Sequence, residues 1–315
     1  MIHQFGIDNI DWKNEKILIT GGKGMVGHAL CRLLKQLGCR EVTAVGSQDF
    51  DLRDFNQAHL LFKKTNPKYV FHLAGKVYGL GGNALYKADV LYDNVMINTN
   101  TIECSRRFGI KKIVMMGSGC IYPEGEKGKG LTEDQIWFGE PHSSEDSYAH
   151  AKRLALAQLM ANKNQYGMEY AYAISGNLYG EFDKFDTEKG HVVPSLIAKF
   201  CAAKKFNRKA VVWGTGAAIR DFSYSGDTAR ALVCLMNHGS GPINIGSGFL
   251  HSIKDIVDIL SEYTQTEVIW DSSKPDGQLE RYYDLSKLKS LGFEAKTDLR
   301  EGLKKTLLWY LSIID

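Results

Sequence analysis

Ile17-Leu18-Ile19-Thr20-Gly21-Gly22-Lys23-Gly24-Met25-Val26-Gly27 is an apolar run that breaks into glycines and then opens an amphipathic stretch over 25–37. Strand, tight turn and helix in that order form the first half of a dinucleotide-binding unit. Gly21, Gly24 and Gly27 have GxxGxxG spacing. It tightens the turn, brings backbone N–H groups near Met25 and Val26 up to a pyrophosphate, and lets the helix pack closely on its strand. About 130 residues downstream stands Tyr148-Ala149-His150-Ala151-Lys152. Tyr and Lys at i, i+4 project from one face of a helix. The cation can therefore lower a phenol pKa that is ordinarily near ~10.

On either side of these motifs, apolar runs alternate with helical patterns through the first 175 or so residues. That alternation predicts a parallel sheet covered on both faces, an α/β doubly wound fold of the Rossmann kind. Strands are expected at 16–20, 42–45, 69–72, 112–116 and 169–174, and helices at 25–37, 55–65, 88–108 and 147–166. Beyond Gly180 the pattern loosens, with strands at 210–213 and 242–245 and helices at 194–204, 226–237, 252–262 and 298–311. Residues 1–180 read as the cofactor-binding domain. Residues 181–315 read mainly as a smaller C-terminal α/β substrate domain, some of whose elements return to the first. The loops at 180–190 and 271–281 are the expected substrate-facing segments.

Composition narrows the function. Lys and Arg total 39 against 36 Asp and Glu in 315 residues, a net charge of +3, so no nucleic-acid or membrane field is implied. The N-terminal segment has no apolar core of the signal-peptide kind, and no run approaches the roughly 18 apolar residues of a membrane span. Cys31, Cys39, Cys104, Cys120, Cys201 and Cys234 lack CxxC spacing, which argues against a zinc site or disulfide framework and for the cytoplasm. The apolar C-terminal stretch over 307–314 is expected to dock on the body.

An NAD site places an acid at the end of its second strand, where this chain reads Val45-Gly46-Ser47-Gln48. The missing acid, with Lys23 and Ser47 able to contact a 2′-phosphate, favours NADPH. Asp51 and Leu52 are then expected near the adenine, and Ala74, Gly75 and Lys76 near the linking phosphates or ribose. Ser118 follows the strand ending at Met116 and completes a Ser, Tyr, Lys set. Ser118 would polarise a carbonyl, Tyr148 would donate a proton, and Lys152 would hold the phenol pKa down and bond the nicotinamide ribose.

From Lys16 onward the chain resembles the extended short-chain dehydrogenases/reductases and, within them, the GDP-L-fucose synthase family. The resemblance rests on GMVG at 24–27, AGKV at 74–77, GSGCIYP at 117–123, YAHAK at 148–152, NLYG at 177–180, GHVVPSLI at 190–197, VVWGTG at 211–216, RDF at 220–222, SKPDG at 273–277 and LGF at 291–293. It implies NADPH as reductant, a GDP-linked 4-keto sugar as substrate and a homodimer built on the helices at 88–108 and 147–166. Cys120 and His191 match the family's acid/base pair for epimerisation beside the ketone, and His191 also falls in its cofactor-binding set. A thiolate, from a thiol with pKa near ~8.5, can remove a proton α to a carbonyl and an imidazole can return one. By the same resemblance Asn177 and Val192 meet the hexose and nucleotide, Trp213 packs on guanine or its ribose, Lys199, Arg220 and Arg281 hold the diphosphate, and Asp276 contacts the ribose. The chain departs from the family at Gly119, where serine is usual, at Lys199, where arginine is common, and over 79–83 and 181–184. Two other readings share the fold: a UDP-sugar 4-epimerase recycling bound NAD, and a cofactor-sensing protein that has lost catalysis, a class that typically lacks the Tyr or Lys kept here at Tyr148 and Lys152.

Overall fold

The computed structural model describes residues 10, 12–77, 85–124, 130–187, 190–274 and 280–314. The chain runs β1 (Ile17–Thr20), α1 (Met25–Gln36), β2 (Val42–Val45), α2 (Phe55–Thr65), β3 (Tyr69–His72), α3 (Lys87–Arg107), β4 (Lys112–Met116), α4 (Asp146–Tyr166), β5 (Glu169–Ser175) and β6 (Asn177–Tyr179). It continues through α5 (Val192–Lys205), β7 (Ala210–Trp213), β8 (Ile219–Tyr224), α6 (Ser225–His238), β9 (Gly241–Ile245), β10 (Leu250–Ser252), α7 (Ile253–Thr264), β11 (Val268–Asp271), β12 (Glu280–Arg281), α8 (Ser286–Ser290) and α9 (Leu299–Ile314).

β1 and β3 are buried at every position, as strands sandwiched between two helical layers must be. Their side chains alternate between those layers. Leu18 joins Phe62, Ile102 and Leu156 in the core beneath α2, α3 and α4, whereas Ile17 and Ile19 join Leu30, Leu34, Leu232 and Leu235 beneath α1 and α6. The six strands run in the order β2-β1-β3-β4-β5-β9, all parallel. The order reverses between β1 and β3, so the loops after those strands splay apart and open a crevice at their carboxyl ends.

The second lobe interleaves with this sheet. Residues 225–245 form α6 and β9, and β9 pairs with β5 from Ala171↔Gly241 to Ser175↔Ile245. The remaining C-terminal elements close a third core around Ile197, Phe200, Val212, Phe222, Ile256 and Leu303. At its edge β8 carries β10 antiparallel and β12 and β6 parallel. Four strands here lie where no strand is expected from sequence. β8 has no apolar run because Asp221 and Ser223 are buried within it. Asp221 accepts from Ser247 N (2.9 Å), Ser247 Oγ (2.7 Å) and Gly248 N (2.8 Å), which replaces the water it loses.

Candidate active site

The turn after β1 is shaped by what its glycines exclude. Gly21 has φ +69°, and a Cβ there would lie 2.7 Å from Ala74 N. A Cβ at Gly27 would lie 2.5 Å from Gly21 O, so the helix starts in backbone contact with the turn. Gly24 caps α1 without a side-chain bond, and the first turn holds no acid. The N–H groups of Met25 and Val26 are among those that lack carbonyl partners within the helix, and they meet the positive end of its dipole. That cradle suits a diphosphate.

At the far end of the crevice the structure supplies an acid that the sequence reading left out. Asp49, beyond the β2 end, accepts from Gly46 N (2.8 Å) and from Lys23 Nζ (2.7 Å). These two bonds hold its carboxyl below the usual range. The expectation of an acid-free second-strand end is therefore corrected: Lys23 carries a carboxylate with it, while Ser47 stays exposed. Asp51 is held by Arg53, and the Leu52 side chain is buried in the core. Lys76 pairs with the buried Asp93 (2.5 Å), which also takes Arg53 (3.1 Å). Asn94 accepts from Lys76 N and donates to Lys76 O, both at 2.9 Å, fixing the loop after β3.

Ser118, Tyr148 and Lys152 converge at the carboxyl end of β4. Ser118 caps the short turn Gly119–Ile121, and its Oγ accepts from Cys120 N. Lys152 Nζ donates to Met116 O at 2.8 Å. A Cβ at Gly75 would lie 3.8 Å from Lys152 Nζ and 3.9 Å from Tyr148 Oη, so both groups face the loop after β3. The predicted depression of the Tyr148 pKa is not found. Burial pushes the phenol well above its ordinary range, with the charges of Cys120 and Glu145 adding to the rise. Lys152 stands 5.7 Å from the ring centroid, and burial brings its own pKa down to about 8.

Cys120 sits beside this set, buried. Burial pushes its thiol up to about 12, against a smaller opposing pull from Ser118, away from the ordinary thiol value near ~8.5. His191, ahead of α5, has an exposed side chain and pairs with Asp183 Oδ1 at 3.5 Å. The hydrogen bond to Asp183 raises its pKa.

On the second lobe Arg281 and Arg220 stand in register on neighbouring strands. Burial and the adjoining Arg281 charge lower the Arg220 pKa, the mark of a cation pair suited to an anionic ligand. Arg281 also reaches Glu145 at 3.7 Å, which ties this pair to the start of the Tyr148 helix. Trp213 is 54% exposed, too open for a core aromatic, and Lys199 Nζ stands 4.7 Å from its ring centroid. Asn177 and Val192 are both exposed, Asn177 on β6 beside β8. Asp276 and the segment 79–83 lie outside the described residues.

The family profile described as the NAD dependent epimerase/dehydratase family matches residues 17–246, from β1 through β9 and the loop residue after it. The chain belongs to that family. It is 35% identical to the probable GDP-L-fucose synthase 1 of Oryza sativa subsp. japonica, covering 95% of this chain and 93% of that protein. Its fold superposes on the GDP-L-fucose synthetase of Naegleria fowleri bound to NADP with a TM-score of 0.89, 31% identity and coverage of 96% and 94% of the two chains. The GDP-mannoheptose C4 reductase of Campylobacter jejuni with NADP bound gives a TM-score of 0.85 at 30% identity, covering 95% and 99%.

Asp49, Asp93, Asn94 and Glu145 escaped the sequence reading. Asp93 and Asn94 are buried on α3, and polar residues inside a helical stretch were the available signal. Asp49 and Glu145 gave none.

Proposed function

We propose that the protein is an NADPH-dependent reductase of the C4 ketone of a GDP-linked 4-keto sugar, a 6-deoxyhexose or a heptose. One observation carries the reading: Tyr148 Oη and Lys152 Nζ meet at Gly75, beside Ser118, at the mouth of the glycine cradle. The resemblance to fucose synthases and a heptose C4 reductase supports the substrate class, and their NADP complexes support the cofactor.

The free N–H groups of the Gly24 turn hold the diphosphate, Lys23 meets the 2′-phosphate and Lys152 bonds the nicotinamide ribose. When bound, NADPH supplies the hydride that reaches the carbonyl carbon. Ser118 Oγ–H donates to the carbonyl oxygen and builds up its acceptor charge. Tyr148, kept protonated by burial, gives its proton to that oxygen, and the Lys152 ammonium offsets the phenolate left behind. Arg220 and Arg281 hold the sugar-nucleotide diphosphate, and Trp213 with Lys199 packs against the base or its ribose. Epimerisation at C3 and C5 is a separate step that needs Cys120 to ionise; solvent deuterium appearing at those carbons is its signature. The exposed apolar residues Leu91 and Tyr92 on α3 and Leu154 and Met160 on α4 support a homodimer through these helices.

The test is loss of NADPH absorbance with GDP-4-keto-6-deoxymannose and with a GDP-4-keto-heptose, each with and without a separate C3/C5 epimerase. Consumption with either sugar is expected. No consumption in any of the four mixtures refutes the proposal.

A further inference from the structure

Gly119 separates Ser118 from Cys120, and its φ is not in the left-handed region. Its backbone conformation therefore does not demand glycine; the space does. A Cβ at 119 would overlap the hydroxyl of Tyr283 and lie 2.5 Å from its Cζ. The opposite edge of the same ring rests on Gly176, between β5 and β6, where a Cβ would lie 2.8 Å from Cε2. Two glycines thus form a socket for one tyrosine.

The segment that carries the ring is held by backbone bonds. Leu131 N donates to Tyr282 O and Asp284 N donates to Leu131 O, both at 3.0 Å, and Asn244 Nδ2 donates to Asp284 O at 3.0 Å. Neighbouring buried phenols have protein acceptors: Tyr122 donates to Asn244 Oδ1 (2.6 Å) and Tyr172 to Lys152 O (3.0 Å). The Tyr283 hydroxyl makes no such bond among the described residues, and burial pushes its pKa up to about 12. The ring is only partly buried against the core, so its hydroxyl is open to a ligand group that supplies a hydrogen-bond partner.

We infer that Tyr283 is a substrate-contacting, specificity-determining residue, its hydroxyl standing where a side chain at 119 would otherwise stand and reading a ring hydroxyl of the sugar next to the carbonyl. This rests on the proposed sugar-nucleotide reading for the identity of the ligand. The sugar face of the site is then read by a phenol delivered from the second lobe, in place of a short side chain on the catalytic turn.

The test uses the whole protein with NADPH bound. Calorimetry with GDP and with GDP-mannose measures how much the hexose adds to binding. Tyr283→Phe is expected to remove most of that increment, roughly tenfold in affinity, while leaving the GDP and NADPH affinities and the melting temperature unchanged. With a keto sugar that is turned over, the same variant raises KM and spares kcat, as loss of uniform binding does. Gly119→Ser alone is expected to lower the melting temperature, and adding Tyr283→Leu to restore it. A Tyr283→Phe protein with an undiminished hexose increment, or a Gly119→Ser protein of unchanged melting temperature, overturns the inference. Failure of the unmodified protein to reduce any keto sugar refutes the proposed reaction instead, and the binding difference still decides the role of Tyr283.

Discussion

Burial displaces the Tyr148 phenol and the Lys152 ammonium in opposite directions, and each shift favours the neutral form. A phenol driven upward is a proton reservoir, which suits reduction, where the developing alkoxide must be protonated. Tyr148→Phe should therefore lower kcat by about a hundredfold or more with little change in NADPH affinity, measured by steady-state turnover and fluorescence titration. Lys152 is charged below about 8 and neutral above it. The kcat/KM for reduction should thus fall as pH rises through about 8, and Lys152→Met should be slow at every pH without that limb. At the other end of the crevice, Lys23 is shared between Asp49 and the expected 2′-phosphate. Lys23→Ala should weaken NADPH binding by roughly tenfold and NADH binding far less, because it also leaves the Asp49 carboxylate facing the ribose. Equal losses for both cofactors would show that Lys23 does not read the 2′ position.

Elements were legible in the sequence where one physical demand dominates. β1 and β3 are buried on both sides and read as unbroken apolar runs, and the turn after β1 advertises its glycines because no other residue fits against Ala74. Gly27→Ala should accordingly cost about 1–3 kcal/mol of stability through overpacking against the turn and abolish tight NADPH binding, read by thermal melting with and without cofactor. A full-stability, full-affinity variant would mean that the turn has room to relax. Where several demands compete, the signal is lost. β8 buries Asp221 to hold the Ser247–Gly248 turn, so it does not alternate like a strand. Strand position singled out Ser118 and spacing singled out Tyr148 and Lys152, but the direction of the Tyr148 pKa was not legible, since burial rather than the i, i+4 relation decides it. Tyr283 was illegible because its partner Gly119 is more than 160 residues away in sequence and only the fold brings them together.

Across the whole molecule, the two lobes share one chain path: α6 and β9 return from the second lobe to the edge of the first sheet. Asn244 on β9 binds Leu131 O, Asp284 O and the Tyr122 hydroxyl, so the strand that closes the sheet also ties down the segment bearing Arg281 and Tyr283. Asn244→Ala should therefore loosen the sugar side, raising KM for the keto sugar by roughly tenfold or more through lost hydrogen bonds, with the NADPH affinity nearly unchanged. Light scattering at micromolar concentration should give twice the chain mass if α3 and α4 pair between copies, and a monomer would leave their exposed Tyr92 and Leu154 unexplained. The proposed reaction is decided by where the hydride goes. NADPH carrying deuterium at the transferable nicotinamide position, incubated with the GDP-4-keto sugar and this protein, should yield a GDP-sugar with one deuterium at C4 and an equal amount of NADP. Sugar changed at C4 with the label still on the nicotinamide, or no label in any sugar product, would contradict it.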